Sequence, residues 1–120
     1  MSNTMSKLAL SGSTNGKAVK VAATATPGTT LHTAGSGSTN FDEIWLWLYN
    51  SHTADVEATV EFGGTTSPDD TIKFTIKTKD GLKLVLPGLV LQNSLVLKAF
   101  ASVTNVITAH GYVNRITVAY

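Results

Sequence analysis

The segment Glu43–Asn50, with the sequence EIWLWLYN, has apolar side chains at nearly every position. Successive side chains of a β-strand point to opposite faces, so Ile44, Leu46 and Leu48 share one face of an extended chain. The other face carries an aromatic stripe, which consists of Trp45, Trp47 and Tyr49. One apolar face can pack on the core of the domain, and the second must be covered by something else. The segment therefore predicts a strand inside a β-sheet whose outer face is also apolar.

Two further segments alternate more regularly. Residues 56–62 alternate apolar and polar side chains, and residues 72–77 do the same after a loop rich in Gly, Thr and Asp. This pattern is typical of antiparallel strands with one buried and one wet face. We expect Glu57 and Glu61 to pair with Lys73 and Lys77 across the hairpin. Each such pair contributes about 0.2–1 kcal/mol, so it favours the register more than stability.

The whole chain predicts a single all-β domain. Eight or nine short strands at a spacing of roughly 10–12 residues indicate an antiparallel β-sandwich or a jelly-roll-like fold over residues 17–120. Leu82, Leu84 and Leu86 are expected to face inward on a strand that Pro87-Gly88 stops. Gly111 marks a bulge or a close backbone approach in the last strand. Residues 1–16 predict an extended N-terminal arm or a loosely attached first strand.

Composition narrows the function. Charged residues make up 14% of the 120 residues, against about 25% in an ordinary soluble domain. Ser and Thr fill the gap, and a surface of hydroxyls and methyls suits a molecule packed against neighbours. The net charge is +1 without a long Lys/Arg run, so we expect neither nucleic-acid nor membrane binding. The start of the chain lacks the pattern of a signal peptide, so we expect a soluble protein that is not conventionally secreted.

No set of reactive side chains has the spacing of a known catalytic or metal site. There is no cysteine, and His32, His52 and His110 are far apart in the sequence. Asp69-Asp70 after Pro68 has the chemistry of a turn, and no serine lies in a Gly-x-Ser-x-Gly motif. We therefore predict no catalytic residue, no metal, no cofactor and no enzymatic activity. Arg115, the only arginine, is a candidate interface anchor, with a solvated surface charge as the alternative.

The remaining interpretations differ in what covers the aromatic stripe. Three such side chains present about 500 Å² of mostly apolar surface, and covering it contributes on the order of 10 kcal/mol. The chain itself could cover the stripe with its N-terminal arm or a long loop. A second subunit or another protein could do so, or the rings could form a platform on which sugar rings stack.

Five short segments carry a resemblance to a known group of proteins. They are LHTA at 31–34, FDEIWL at 41–46, FGGTTSP at 62–68, LPGLVLQN at 86–93 and GYVNRI at 111–116. Across these segments the chain resembles small virion structural proteins of tailed bacteriophages. The resemblance covers about the last two-thirds of the chain and implies a non-enzymatic, β-rich subunit. Such a subunit decorates or cements the capsid, or lies at the neck or tail.

Together these observations predict a capsid decoration or cement subunit that bridges neighbouring capsid proteins. Its partners would be the major capsid protein or other virion subunits, and it would be located in the virion, which is assembled in the host cytoplasm. The protein itself would be a homo-oligomer, with a trimer favoured. The predicted interface residues are Trp45, Trp47, Tyr49 and Arg115, and the arm would order over a neighbour. The alternatives are a neck or tail subunit, or a carbohydrate-binding module for host attachment.

Overall fold

A computed structural model describes residues 3–119 and contains nine β-strands. The strands are β1 (Thr4–Ala9), β2 (Val19–Val21), β3 (Thr29–Thr33), β4 (Asn40–Asn50), β5 (Val56–Phe62), β6 (Thr71–Ile76), β7 (Lys83–Leu91), β8 (Val96–Ala101) and β9 (Ile107–Thr117). Residues 3–119 include no helix of the length and apolarity needed to cross a membrane.

The strands form two antiparallel sheets. The five-stranded sheet has the order β1-β9-β4-β7, with β2 also paired to β9, and the four-stranded sheet has the order β3-β8-β5-β6. Every strand pair is antiparallel, and the buried apolar residues of both sheets form one core. The predicted all-β, antiparallel sandwich is confirmed.

Strand β4 lies inside the five-stranded sheet, between β9 and β7. Its even-numbered apolar residues Ile44, Leu46 and Leu48 have no exposed surface. Across the core they share one cluster with residues of the other sheet such as Val60 and Leu97. Burying one such side chain contributes about 1.5–3 kcal/mol, so the inner face of β4 is a main source of stability.

Gly111 allows β9 to approach β4 closely. It lies opposite Leu46 in an uninterrupted register of eleven residue pairs. A Cβ atom at this position would overlap the backbone oxygen of Trp45. The predicted close backbone approach at Gly111 is therefore confirmed, and no bulge is present at this point of the ladder.

The predicted end of β7 at Pro87-Gly88 is wrong. The strand runs through both residues to Leu91, because it is a sheet edge where a missing N–H is tolerated. Gly88 has a positive φ of 80°, and the pairing with β4 shifts there and again near Val85. The second shift turns Leu84 outward, with Leu82 also exposed, so only Leu86 of the three predicted inward leucines is buried.

The predicted charge pairing on the β5–β6 hairpin is confirmed at one position only. Lys73 lies 3.7 Å from Glu57, with both side chains largely exposed. Glu61 is fully buried instead. Its carboxylate accepts hydrogen bonds from Thr26 Oγ1 and the Gly28 N–H, each at 2.6 Å. A local alternation pattern does not show that a distant loop folds over this face.

Strand β1 lies within residues 1–16, the segment for which the sequence predicts an arm or a first strand. Its six residues pair with Tyr112–Thr117 of β9, and five of them are exposed. β2 pairs with the first part of the same strand, Ile107–Ala109. Since β4 occupies the other edge of β9, both short strands extend the sheet sideways.

The close approach at Gly111 makes a testable prediction. Replacing Gly111→Ala should lower the free energy of unfolding by about 3 kcal/mol, because the new methyl group meets a backbone atom that cannot move alone. Urea unfolding followed by tryptophan fluorescence measures the change.

The matched control is Gly37→Ala, at a glycine with a φ of 74° and open space around its Cβ position. It should cost only about 1 kcal/mol, the backbone term for a left-handed residue. Equal losses in the two variants would contradict the assigned close approach.

Candidate functional site

The outer face of the five-stranded sheet gathers the aromatic side chains, and we call it the aromatic face. Its residues, given by the pairing of β4 with β9 and β7, are Trp45, Trp47, Tyr49, Leu84, Pro87, Val90, Thr108, His110 and Tyr112. The register sets Trp45 opposite Tyr112 and Trp47 opposite His110. On the other side Trp47 lies opposite Leu84. The face is therefore apolar across three neighbouring strands.

Three rings form a compact cluster at the centre of this face. The ring centroids of Trp45, Trp47 and Tyr112 are 6.1–6.4 Å apart, and their planes lie within 28° of one another. These values fit offset stacking, in which each pair of rings contributes about 0.5–1.5 kcal/mol beyond its buried area. Mutual contact accordingly holds the rings in one orientation.

Two charged side chains border the ring cluster. Glu43 accepts hydrogen bonds from Trp45 Nε1 at 2.8 Å and from Asn114 Nδ2 at 3.2 Å. The bond from the Trp45 indole, supported by the Asn114 bond, holds the pKa of Glu43 below its ordinary value. The ammonium group of Lys7 lies 4.4 Å from the centroid of the Tyr112 ring, a cation–π contact. Both groups orient rings that already stack on each other.

The aromatic face is only partly covered by the chain. Trp45, Trp47 and Tyr49 are half-buried, while Leu84 and Val90 beside them are 42% and 48% exposed. β1, the part of the N-terminal segment that forms a strand, lies in the plane of the sheet beside β9. The interpretation that the N-terminal arm roofs the stripe is therefore wrong for the described residues of the arm.

The structure brings together two of the three predicted stripe residues and adds one. Trp45 and Trp47 are in the cluster, whereas Tyr49 lies further along the same face, opposite Thr108. Tyr112 completes the cluster, and sequence analysis did not connect it with the tryptophans. The spacing of His110 and Tyr112 places them on one face of a strand, but only the fold shows that this strand pairs with β4.

Arg115 is not part of the aromatic face. Its guanidinium donates two hydrogen bonds to Asp42, from Nε at 2.8 Å and from Nη2 at 2.9 Å. Asp42 is fully buried, while the Arg115 side chain is 31% exposed. The alternative of a plain solvated charge at Arg115 is wrong, because the charge neutralises a buried carboxylate. Its role as an interface anchor stays a prediction.

Asp42 is the centre of a buried polar network. Besides Arg115, it accepts hydrogen bonds from His32 Nε2 at 2.7 Å and from the Gly35 N–H at 3.1 Å. Burial by itself would raise the pKa of Asp42, but the hydrogen bonds from Arg115 and His32 and the charge of Arg115 outweigh it and hold the pKa below the ordinary value of 3.8. The carboxylate is therefore ionised and satisfied by four donors.

His32 links this network to the N-terminal segment. Its Nδ1 accepts a hydrogen bond from the Ser11 N–H at 2.9 Å, which assigns the ring proton to Nε2, the atom facing Asp42. Both His32 ring nitrogens are thus hydrogen-bonded, and the residue is only 1% exposed. Sequence analysis missed this pair because ten residues and a turn separate its members.

The remaining candidates lie apart from one another. Asp70 accepts a hydrogen bond from the Thr66 N–H at 3.1 Å, which confirms its predicted turn chemistry. His110 lies on the aromatic face, 3.0 Å from Thr108 Oγ1, as a sheet-face histidine. Among residues 3–119, no three His, Asp or Glu side chains come close enough to share a metal ion.

Comparisons with known proteins add no relative. No family model matches the chain, and neither the curated proteins nor the solved structures include a significant match. The likeness to phage virion proteins therefore rests only on the five short segments named above.

The Asp42 network predicts a pH-dependent stability. Replacing Arg115→Met should lower the free energy of unfolding at neutral pH by about 3 kcal/mol, the low end for breaking a buried pair, because the guanidinium is partly exposed. A native pKa below the unfolded one gives stability that is present above the unfolded pKa and lost as pH falls through the native pKa. The substitution removes the main group that lowers the pKa of Asp42, so burial should then raise that pKa.

The difference between wild type and Arg115→Met should consequently narrow as the pH falls from about 6 to about 3, measured by urea unfolding. Lys73→Met, which removes only the exposed pair with Glu57, should change stability by about 0.5 kcal/mol or less. A difference that stays constant over this pH range would contradict the role assigned to Asp42.

Proposed function

We propose that this protein is a non-enzymatic structural subunit of a tailed-bacteriophage virion that decorates or cements the capsid. Its aromatic face would bind a neighbouring shell protein. Each copy would link shell subunits that have a smaller contact area without it. The added contact area would raise the free energy needed to separate them. The observation that carries the proposal is a partly exposed cluster of two stacked tryptophans and a tyrosine on the outer face of one sheet.

The exposure of the aromatic face supports binding to another molecule. Interface energy concentrates in central aromatic residues surrounded by contacts that exclude water. Trp45, Trp47 and Tyr112 are preoriented by stacking, so binding would cost little side-chain entropy. Leu84 and Val90, both exposed on the neighbouring strand β7, would add apolar contacts on one side of the cluster.

The location of the reactive groups also supports a contact function. Asp42, Arg115, His32 and Glu61 hold the fold together through internal hydrogen bonds. The exposed residues are rich in Ser and Thr, with scattered lysines, acidic residues and several large apolar side chains. A surface of this kind suits a subunit packed in an assembly, where copies of the protein would lie at a symmetric position of the shell.

The proposal predicts the effect of removing one ring. Trp47→Ala should leave the domain folded but lower its occupancy on capsids of the encoding phage by at least about tenfold, because a central aromatic residue contributes about 2 kcal/mol or more at an interface. Co-sedimentation with capsids that lack the protein measures the occupancy.

Phe100→Ala is the matched control. Phe100 lies opposite Thr59 on the outer face of the other sheet and is also half-buried, so its loss should leave occupancy unchanged. Wild-type occupancy of Trp47→Ala particles would count against the proposal.

A second candidate function is carbohydrate binding for host attachment. The specific observation in its favour is that three nearly parallel rings stand beside the polar side chains of Glu43 and Asn114. Ring faces suit the C–H-rich faces of sugars, and amides and carboxylates suit their hydroxyls.

Tryptophan fluorescence separates the two candidates, because the only tryptophans of the chain are Trp45 and Trp47. If the contact function is right, titration with host surface oligosaccharides should leave the emission unchanged. A saturable shift that Trp47→Ala abolishes would instead establish the sugar-binding function.

A further inference from the structure

The turn between β6 and β7 carries a concentration of positive charge. Residues 73–83 contain four lysines and one aspartate, a net charge of +3 in a chain whose total is +1. Lys73 is paired with Glu57. Lys77, Lys79 and Lys83 are exposed and have no ion-pair partner among residues 3–119. We call these three lysines, with Leu82, the basic corner.

A cleft opens at the basic corner. It has a volume of about 330 Å³ and is lined by the end of β6, the following turn and the first residue of β7. Its lining includes the side chains of Lys77, Lys83, Asp80 and Leu82, and Leu82 is 55% exposed. The acidic groups near it are Asp80 itself and Asp55, which accepts a hydrogen bond from the Thr78 N–H. The cleft thus combines an excess of ammonium groups with an exposed apolar side chain.

The basic corner adjoins the aromatic face. Leu84, next to Lys83 in the chain, lies opposite Trp47. The Lys79 N–H donates to the backbone oxygen of Asn50 at 2.8 Å, which ties the turn to the end of β4 that carries Tyr49. One extended segment of a partner could therefore contact the rings and then enter the cleft.

We propose that the partner carries an acidic peptide segment that binds the basic corner, directly beside the apolar residues that cover the aromatic face. This inference rests on the proposed contact function and adds the chemistry of the partner. Charge complementarity supports it, since three ammonium groups favour carboxylates, and the exposed Leu82 favours a peptide over a phosphate backbone.

A second copy of the chain does not fit this site. Its acidic residues never occur more than two in a row, and Asp42 and Glu61 are buried. Asp69-Asp70 belongs to a turn in which Asp70 already binds the Thr66 N–H. The acidic segment therefore belongs to a different protein.

A peptide-binding measurement tests the inference. The probe is a fluorescein-labelled peptide with the sequence LPLP followed by four glutamates, and the reference probe has four glutamines instead. The double variant Lys77→Glu/Lys83→Glu should weaken binding of the glutamate peptide about tenfold by fluorescence anisotropy, from the loss of two pairs and the added repulsion. Binding of that peptide should also weaken between about 50 and about 300 mM salt.

The matched control is Lys17→Glu/Lys73→Glu, which reverses two exposed charges outside the basic corner and the aromatic face and should keep the wild-type affinity. Trp47→Ala should weaken both peptides. If Trp47→Ala weakens binding but the Lys77/Lys83 variant does not, the basic corner is overturned and the contact function stands. If only the Lys77/Lys83 variant weakens binding, the proposed binding by the aromatic face is contradicted and the basic corner stands.

Two other results would overturn the inference. The first is no detectable binding of the glutamate peptide to the wild-type protein. The second is tighter binding of a 20-base-pair DNA duplex at the same salt concentration, because the basic corner would then be a phosphate-binding surface.

Discussion

Strand β4 has apolar side chains on both faces, and the rest of the molecule is arranged around it. Its inner residues Ile44, Leu46 and Leu48 are fully buried in the core. Its neighbour β9 pairs along its whole length and β7 pairs with residues 42–48, and Gly111 lets β9 approach without obstruction. The alternation that buries the leucines necessarily turns Trp45 and Trp47 outward. The aromatic face is thus a direct consequence of the strand that builds the core.

The second determinant of the structure is the internal use of its buried charges. Asp42 is neutralised by Arg115 and also binds His32, while Glu61 binds the Thr26–Gly28 loop. A buried carboxylate without such partners would cost several kcal/mol. These groups close the sandwich at points where loops cross from one sheet to the other. With them engaged, the aromatic face and the basic corner are the surfaces with distinctive chemistry.

The sequence allowed good prediction where the signal is local. The alternation in residues 56–62 identified β5 with its observed bounds, and the two-faced segment identified β4. The prediction failed where distant parts of the chain decide the outcome. Whether Pro87-Gly88 ends a strand depends on β7 being a sheet edge, and the burial of Glu61 depends on a loop more than thirty residues away.

The candidate site shows the same division. Trp45 and Trp47 were predicted from one strand, because their spacing alone places them on one face. Tyr112 and the His32–Asp42–Arg115 network were missed, because each requires the register between strands that are remote in the sequence. No local pattern encodes that register. Pairing of β4 with β9 would have been the single additional fact needed to place Tyr112 in the ring cluster.

The most direct test of the central proposal is hydroxyl-radical footprinting of the protein, free and on assembled capsids, with oxidation located by mass spectrometry. If the aromatic face binds the shell, oxidation of Trp45, Trp47 and Tyr112 should fall sharply on assembly. Oxidation of Phe100, on the opposite sheet, should change little. Equal oxidation of the aromatic face in the free and assembled states would contradict the proposal that another molecule covers it.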